Sequence, residues 1–354
     1  MLELKFIREN LDLVKEAMRK RNLNLDLGNL IELDTKRRKS LSELEELRAQ
    51  KNTANQEINK LLKDKKDPRE KITSMKSIAD TIDGLEGELK NIEPVINRII
   101  LTIPNIPHSS IPVGDASSNK IVRTWGEPKK TANAKSHIEL AEHLDIIDFK
   151  RAAKISASNF ILYKGDGARL ERALYNFMLD LHSSKHGYKE IFPPFLVNRA
   201  AMTGTGQLPK LEEDMYRLKD DDLFLIPTAE VPLTNIFRDE ILEEEQLPVY
   251  YTAYTACFRR EAGSYGKDTR GLMRVHQFDK VELVKFVRPQ DSYAELEKLV
   301  NDAEEVLQLL GLPYRVVMLS SADISFAASK CYDLEVYASG IDKWLEVSSC
   351  SNFE

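Results

Sequence analysis

CFRREAGSYGKDTRGLMRVHQFDKVE, residues 257–282, is the stretch on which the reading of the chain turns. It joins two charge-dense polar strands through a glycine-bearing, flexible loop. Alternate residues of a strand share a face, so Arg259 and Glu261 are expected on one face and Phe278 and Glu282 on another. An arginine aimed into a cleft can clamp a phosphate or carboxylate with two parallel bonds. A phenylalanine beside it can stack on a purine, and a lone carboxylate can receive an ammonium group. Together these groups suit the activation of an amino acid by ATP. A salt-bridged hairpin with a core phenylalanine would carry much the same residues, and for an isolated stretch it is the commoner explanation. The phosphate loops GxxxxGK[ST] and GxGxxG are absent, so a nucleotide has to be held in another way.

Outward from this stretch the pattern mixes strand and helix. Strands are expected near 250–258 and 275–287, a helix over about 290–310 ending at Gly311, and further strands near 314–319, 333–337 and 344–349. On the N-terminal side the apolar run 159–163 stops at KGDG. A helix follows with Leu170, Leu174, Phe177 and Leu181 on one face and Gly187 as its expected C-cap. A strand closed by Pro193-Pro194 comes next. Strands that follow one another through loops favour an antiparallel α+β sheet over a doubly wound one.

The first third is different. Met75, Ile78, Ile82, Leu85, Leu89, Ile92, Ile96 and Ile99 recur in steps of three and four, a continuous heptad seam. Pro94 lies inside it and is expected to kink the helix near its end. Leu30, Leu33, Leu44, Leu47, Ala54, Ile58 and Leu61 repeat the period, interrupted by Arg37, Ser40 and Lys51. KDKKDP, residues 63–68, separates the two stretches and suits an exposed tip. The expectation is an antiparallel helical hairpin about 50 Å long, preceded by one shorter helix over about 7–20. After Pro104 the Pro- and Ser-rich IPNIPHSSIPVGDASSN reads as a domain linker.

Bulk properties bound the class. At 354 residues there is room for two or three domains, and 42% hydrophobic with 31% charged residues describes a chain that can bury a sizeable core. No apolar run approaches the roughly 20 residues of a membrane span, and MLELKFIREN offers no signal-peptide core. Three cysteines without CxxC spacing point to a reducing, cytoplasmic address without disulfides or a zinc knuckle. The net charge of −6 is unevenly spread: residues 1–110 carry 21 Lys+Arg against 19 Asp+Glu, the remainder 30 against 38. The front end is thus the more phosphate-tolerant part, although exposed helices are commonly charge-rich for no such reason. His182 and His186 have the spacing of a zinc-protease pair but lack its glutamate, and are expected to be surface histidines.

Four segments, in order, resemble one family. Residues 257–282 are similar to motif 2 of the class II aminoacyl-tRNA synthetases in its seryl form, with an FRxEAGS start and an RxHQFxKVE finish. GDGARLERALYNFMLDLHSSKHGYKEIFPPFLVN resembles motif 1, IPTAEVPLTN the serine-binding TAE loop, and LEVSSCSNFE the strand leading towards motif 3. The N-terminal hairpin resembles the family's tRNA-binding arm. The resemblance implies an α+β fold: a two-helix coiled-coil arm over 1–110, then over 111–354 a catalytic domain with an antiparallel sheet flanked by helices.

By the same resemblance, Thr228 and Glu230 line a pocket for L-serine and Glu282 holds its α-ammonium group. Arg259 bridges the serine carboxylate and the ATP α-phosphate, and Glu261 contacts the adenine or, later, the tRNA 3′ end. Phe278 stacks on adenine, while Arg260, Arg274 and Val275 help to position the nucleotide. Glu346, Val347, Ser348 and Ser349 belong to the ATP site, with Glu346 and Ser349 approaching Mg²⁺. Strict alternation would pair Glu346 with Ser348 instead, unless the strand carries a bulge. Family likeness further implies a cytoplasmic homodimer, joined through motif 1, that charges tRNA(Ser), and tRNA(Sec) as a second acceptor. The family pattern continues beyond Asn352-Phe353-Glu354, so the chain is expected to be truncated before motif 3 and to be inactive in this form. Two rivals stay open: a ligase that charges a carrier protein, against which the heptads count, and a non-catalytic coiled-coil scaffold.

Overall fold

The computed structural model describes residues 2–129, 133–262 and 271–354. The chain divides into two compact units, residues 1–104 and 105–354. The loop of the 257–282 stretch, residues 263–270, lies outside the described residues, as does the end of the FRxEAGS match.

The first unit contains α1 (Leu4–Glu9), α2 (Leu11–Lys20), α3 (Gly28–Lys63) and α4 (Arg69–Ile100). The single leading helix expected over 7–20 is two helices, because Asn10 leaves helical geometry at φ −127°, ψ 39° and its side chain donates to the Phe6 carbonyl at 3.1 Å. The long helices have 36 and 32 residues, about 50 Å each at 1.5 Å per residue, and α4 continues through Pro94 to Ile100. The heptad positions meet across the pair. Leu44, Ile82 and Leu89 are buried together against Leu41, Leu47, Ile78 and Leu85. Nearer the base, Leu30, Ile92 and Ile96 pack with Ile7, Val14, Met18 and Ile103. Two of the three expected interruptions have partners: Ser40 donates to Glu88 at 2.9 Å, and Arg37 faces Glu93 at 3.4 Å. KDKKDP occupies the turn between α3 and α4.

The second unit runs β1 (Lys120–Trp125), α5 (His137–His143), α6 (Phe149–Ser156), α7 (Asp166–Ser184), β2 (Lys189–Glu190), β3 (Leu196–Asn198), α8 (Arg199–Gly204), β4 (Leu223–Leu225) and α9 (Glu230–Thr234). It continues with β5 (Val249–Phe258), β6 (Gln277–Phe286), α10 (Ser292–Leu309), β7 (Tyr314–Met318), β8 (Lys330–Ala338) and β9 (Lys343–Asn352). Strands β1-β7-β8-β9 form one antiparallel sheet. In a second sheet β5 pairs antiparallel with β6 and parallel with the short β2. Leu296, Val300 and Leu307 of α10 bury against Val316, Leu334 and Cys350 of the first sheet, each fully buried aliphatic side chain contributing about 1.5–3 kcal/mol.

Three expectations change in this unit. The presumed linker is irregular but bound: Asn105 N–H donates to the Phe326 carbonyl at 3.1 Å, His108 N–H to that of Ser329 at 2.9 Å, and Ile111 is buried. On α7 the inward face carries Gly167, Tyr175, Leu179 and His182, not the Leu170 stripe, and Leu170 is 56% exposed. Tyr175 stacks on Tyr254 of β5 with centroids 4.0 Å apart, and any side chain at Gly167 would meet the Ile146 carbonyl at 2.2 Å. His182 and His186 are not surface histidines. His182 is 3% exposed, its Nδ1 lies 2.9 Å from Nδ1 of His186, and His186 Nε2 lies 2.9 Å from Glu305. Burial first, and then the facing His186, push the His182 pKa down to about 4.

Candidate active site

A cavity of about 1110 Å³ opens between α9, the ends of β5 and β6, and β9. Thr228, Glu230, Arg259, Glu261, Arg274, Glu282, Glu346 and Ser349 all line it. Five other residues named from the sequence are not among its lining. Arg260 is exposed, with its backbone N–H held by the Asp214 carbonyl at 2.8 Å. Val275 is buried, and Phe278 lies beneath Arg259. Val347 and Ser348 belong to the irregular part of β9.

Pairing of β5 with β6 fixes most of the geometry. Cys257 faces Phe278 and Phe258 faces Gln277, after which Arg259 N–H donates once more across the ladder, to the His276 carbonyl at 3.0 Å. The strand then ends, which corrects the expectation that Arg259 and Glu261 share a strand face. Arg260 and Ala262 both turn their N–H groups to Asp214, the latter reaching its carboxylate at 2.7 Å. Glu261 takes φ +51°, in the left-handed region, a conformation costly for a residue with a side chain. It nevertheless reaches the cavity and receives Arg274 at 2.9 Å. Arg259 lies with its guanidinium carbon 5.0 Å from the Phe278 ring centre, a cation–π contact that orients the side chain.

On the face of β6 that carries Phe278, Lys280 and Glu282 line the cavity. Lys280 Nζ is 2.7 Å from Glu282 Oε2 and donates to Thr228 Oγ1 at 2.7 Å, while Thr228 donates to Glu282 Oε2 at 2.6 Å. Glu230 N–H donates to Thr228 Oγ1 at 3.1 Å. Burial, reinforced by Glu282, pushes the Glu230 carboxyl up to about 7, against the pull of Lys280 and Arg259. Burial opposes the Lys280 ammonium too, but Glu282, Cys257 and Glu230 outweigh it and hold its pKa above the usual lysine value.

The conflict over β9 is settled by a bulge. Glu346 pairs with Glu335, Ser348 with Leu334 and Ser349 with Asp333, so Val347 has no partner. One unpaired residue shifts the alternation by one. Glu346 and Ser349 therefore share the face of Asp333 and Glu335, and Ser348 lies opposite with buried Leu334. Burial raises the Glu346 carboxyl despite the Arg259 charge, and burial followed by Glu346 pushes Asp333 up to about 7.

Lys280, Asp214 and Asp333 were missed from the sequence. Lys280 could have been found from its alternation with Phe278 and Glu282, whereas Asp214, in the acidic run EED, carries no signal that it would cap a strand end. Among the described residues no group of three or more His, Cys, Asp or Glu could hold a metal ion. No described helix is long and apolar enough to cross a membrane.

Residues 213–354 match the tRNA synthetase class II core domain family for Gly, His, Pro, Ser and Thr. With this match, the antiparallel sheet and the arginine-lined cavity define a class II aminoacyl-tRNA synthetase. Residues 1–107 match the seryl-tRNA synthetase N-terminal domain family. The whole chain is 54% identical to the serine–tRNA ligase of Carboxydothermus hydrogenoformans and 58% identical to that of Trichlorobacter lovleyi, covering 84% of each. The crystal structure of seryl-tRNA synthetase from Pyrococcus horikoshii, complexed with ATP, superposes with a TM-score of 0.91 at 37% identity, over 100% of this chain and 84% of that one. The chain belongs to the seryl-tRNA synthetase family, and it is an aminoacyl-tRNA ligase.

Proposed function

We propose that the cavity activates L-serine with ATP to seryl-adenylate and that the seryl group then passes to the 3′ end of tRNA(Ser), with tRNA(Sec) as a second acceptor. The observation that carries this reading is the convergence of Arg259, Glu282, Thr228 and Glu230 on one cavity. A serine carboxylate oxygen attacks the α-phosphorus of ATP in line, a new P–O bond forms, and pyrophosphate leaves. The 2′- or 3′-hydroxyl of the terminal adenosine then attacks the seryl carbonyl, and AMP leaves. No side chain forms a covalent intermediate. Arg259 neutralises charge on the α-phosphate and orients the carboxylate, so positioning and electrostatics supply the rate. Glu282 holds the substrate ammonium, Thr228 and Glu230 complete the serine pocket, and Glu261 with Arg274 borders the nucleotide. Phe278 stacks on adenine, with Arg260, Val275, Val347 and Ser348 shaping the surrounding backbone.

Glu346 and Ser349 present two hard oxygens on one face, a set that fits Mg²⁺ when phosphates and water complete its shell. The ion supplies neutralisation of the leaving pyrophosphate. The helical unit, which ends at Pro104 rather than at the expected residue 110, is the tRNA arm, and its polar flanks suit backbone and shape recognition of RNA. The partly exposed stripe of Leu170, Leu174 and Phe177 on α7 supports a homodimer. The setting is the cytoplasm.

Replacing residues 30–99 with a short linker, in a chain that continues through the motif 3 segment, tests the division of labour. Serine-dependent ATP–pyrophosphate exchange is expected to survive and tRNA charging to be lost. Equal loss of both, in a variant whose second unit remains folded, would refute it.

A further inference from the structure

Resting on the serine-site reading, the geometry points to a further residue. We propose that Lys280 is a positioning residue of the amino-acid site: its ammonium clamps Glu282 Oε2 and the Thr228 hydroxyl, so that Glu282 Oε1 is presented to the substrate's ammonium group. The three groups close a triangle with sides of 2.7, 2.7 and 2.6 Å. A threonine hydroxyl has one donor and two acceptor sites. Thr228 donates to Glu282 and accepts from Lys280 and from Glu230 N–H. Its capacity is therefore full, and it acts on the substrate through Glu282 rather than as a direct ligand. Both recorded contacts of the Glu282 carboxylate fall on Oε2, which leaves Oε1 available in the cavity wall.

Charge supports the same role. Lys280 faces Glu282 on its own strand, Glu230 from α9, Cys257 from β5, Arg259 beyond the end of β5, and Glu346 from β9. Burial raises the Cys257 thiol, which keeps it neutral. Two neighbouring carboxylates, Glu230 and Glu282, remain, and they cannot both ionise cheaply without a cation between them. The Lys280 side chain is 32% exposed, and that exposure faces the cavity it shares with them. Lys280 opposes the upward shift that already brings Glu230 to about 7, so without it Glu230 would keep its proton to higher pH and Glu282 would lose the cation that fixes Oε2.

The test is serine-dependent ATP–pyrophosphate exchange, in a chain that continues through the motif 3 segment, by Lys280→Met, Lys280→Gln, Lys280→Arg and Glu282→Gln, from about pH 6.5 to about pH 9. Lys280→Met is expected to raise the serine KM about tenfold near neutral pH, with the increase shrinking towards the alkaline end. The ATP KM and kcat are expected to stay within about twofold of wild type. Lys280→Gln should behave like Lys280→Met, and serves in its place if the apolar variant fails to fold. Lys280→Arg, which keeps the charge, should restore the wild-type pH dependence. A serine KM that is unchanged, or raised equally across the pH range, overturns the proposal. Glu282→Gln separates the two levels: if it leaves the serine KM unaltered, the serine-site reading itself fails. If it raises the KM while the Lys280 variants do not, only the role of Lys280 falls.

Discussion

Lowering the pH should selectively destabilise the second unit through His182, and His182→Asn should remove that sensitivity. The buried ring is held neutral because burial and His186 push its pKa from the ordinary 6.5 down to about 4. The unfolded chain takes up this proton near the ordinary value, the folded chain only near the depressed one. Stability is therefore complete above the ordinary value and is lost as pH falls through the window between the two. At 1.36 kcal/mol per unit, descending to about pH 4.5 costs on the order of 2–3 kcal/mol. Glu230 and Asp333, both raised to about 7, slope the other way, losing stability as pH rises towards 7. Both are present in wild type and variant, so the difference between the two proteins isolates His182. The assay is urea unfolding followed by tryptophan fluorescence at a series of pH values. The chain's two tryptophans, Trp125 on β1 and Trp344 on β9, both lie in this unit, so the signal reports it alone. A wild-type-minus-variant difference that stays flat across the window would show that His182 is protonated in the folded state.

Further outcomes follow from the site and from the arm. In a chain that continues through the motif 3 segment, Arg259→Ala should lower pyrophosphate exchange by on the order of a thousandfold, as for a removed transition-state charge contact; activity within a few-fold of wild type would displace the clamp from Arg259. Leu89→Ala, in the buried seam between α3 and α4, should cost the helical unit about 2–4 kcal/mol. Far-UV circular dichroism should show the arm melting earlier while pyrophosphate exchange is retained, and an unchanged melt would mean that the seam does not hold the hairpin.

What the sequence disclosed depended on how local the deciding interaction was. The seam of α3 and α4 was legible because one period repeats over many turns, and even Arg37 and Ser40, which break it, found partners on α4. The pairing of β5 with β6 was legible from alternation. The end of β5 was not: Asp214, distant in sequence, holds Arg260 and Ala262 by their N–H groups, and Glu261, the next residue due to face β6, turns to φ +51°. On α7 the Leu170 stripe is the more apolar face, yet the helix turns Tyr175, Leu179 and His182 inward, because the close approach of Gly167 to Ile146 dictates its rotation. Composition correctly made residues 105–119 irregular, but whether such a segment hangs free or lies on a surface depends on carbonyls at Phe326 and Ser329, which no local pattern reveals.

The unpaired Val347 gives β9 two phases. Before it an even-numbered residue, Glu346, looks the same way as Asp333 and Glu335; after it the odd-numbered Ser349 and Ser351 do. Deleting Val347 would close the bulge into a regular ladder in which Glu346 still faces Glu335 and Ser349 still faces Asp333, now two residues apart on the same face. What the extra residue adds is a local bend and a stronger twist of the strand, which aim Glu346 and Ser349 without changing their partners. Which oxygens face the site is thus carried by the pairing of β9 with β8, and how they are aimed by the one residue of that segment without a ladder partner.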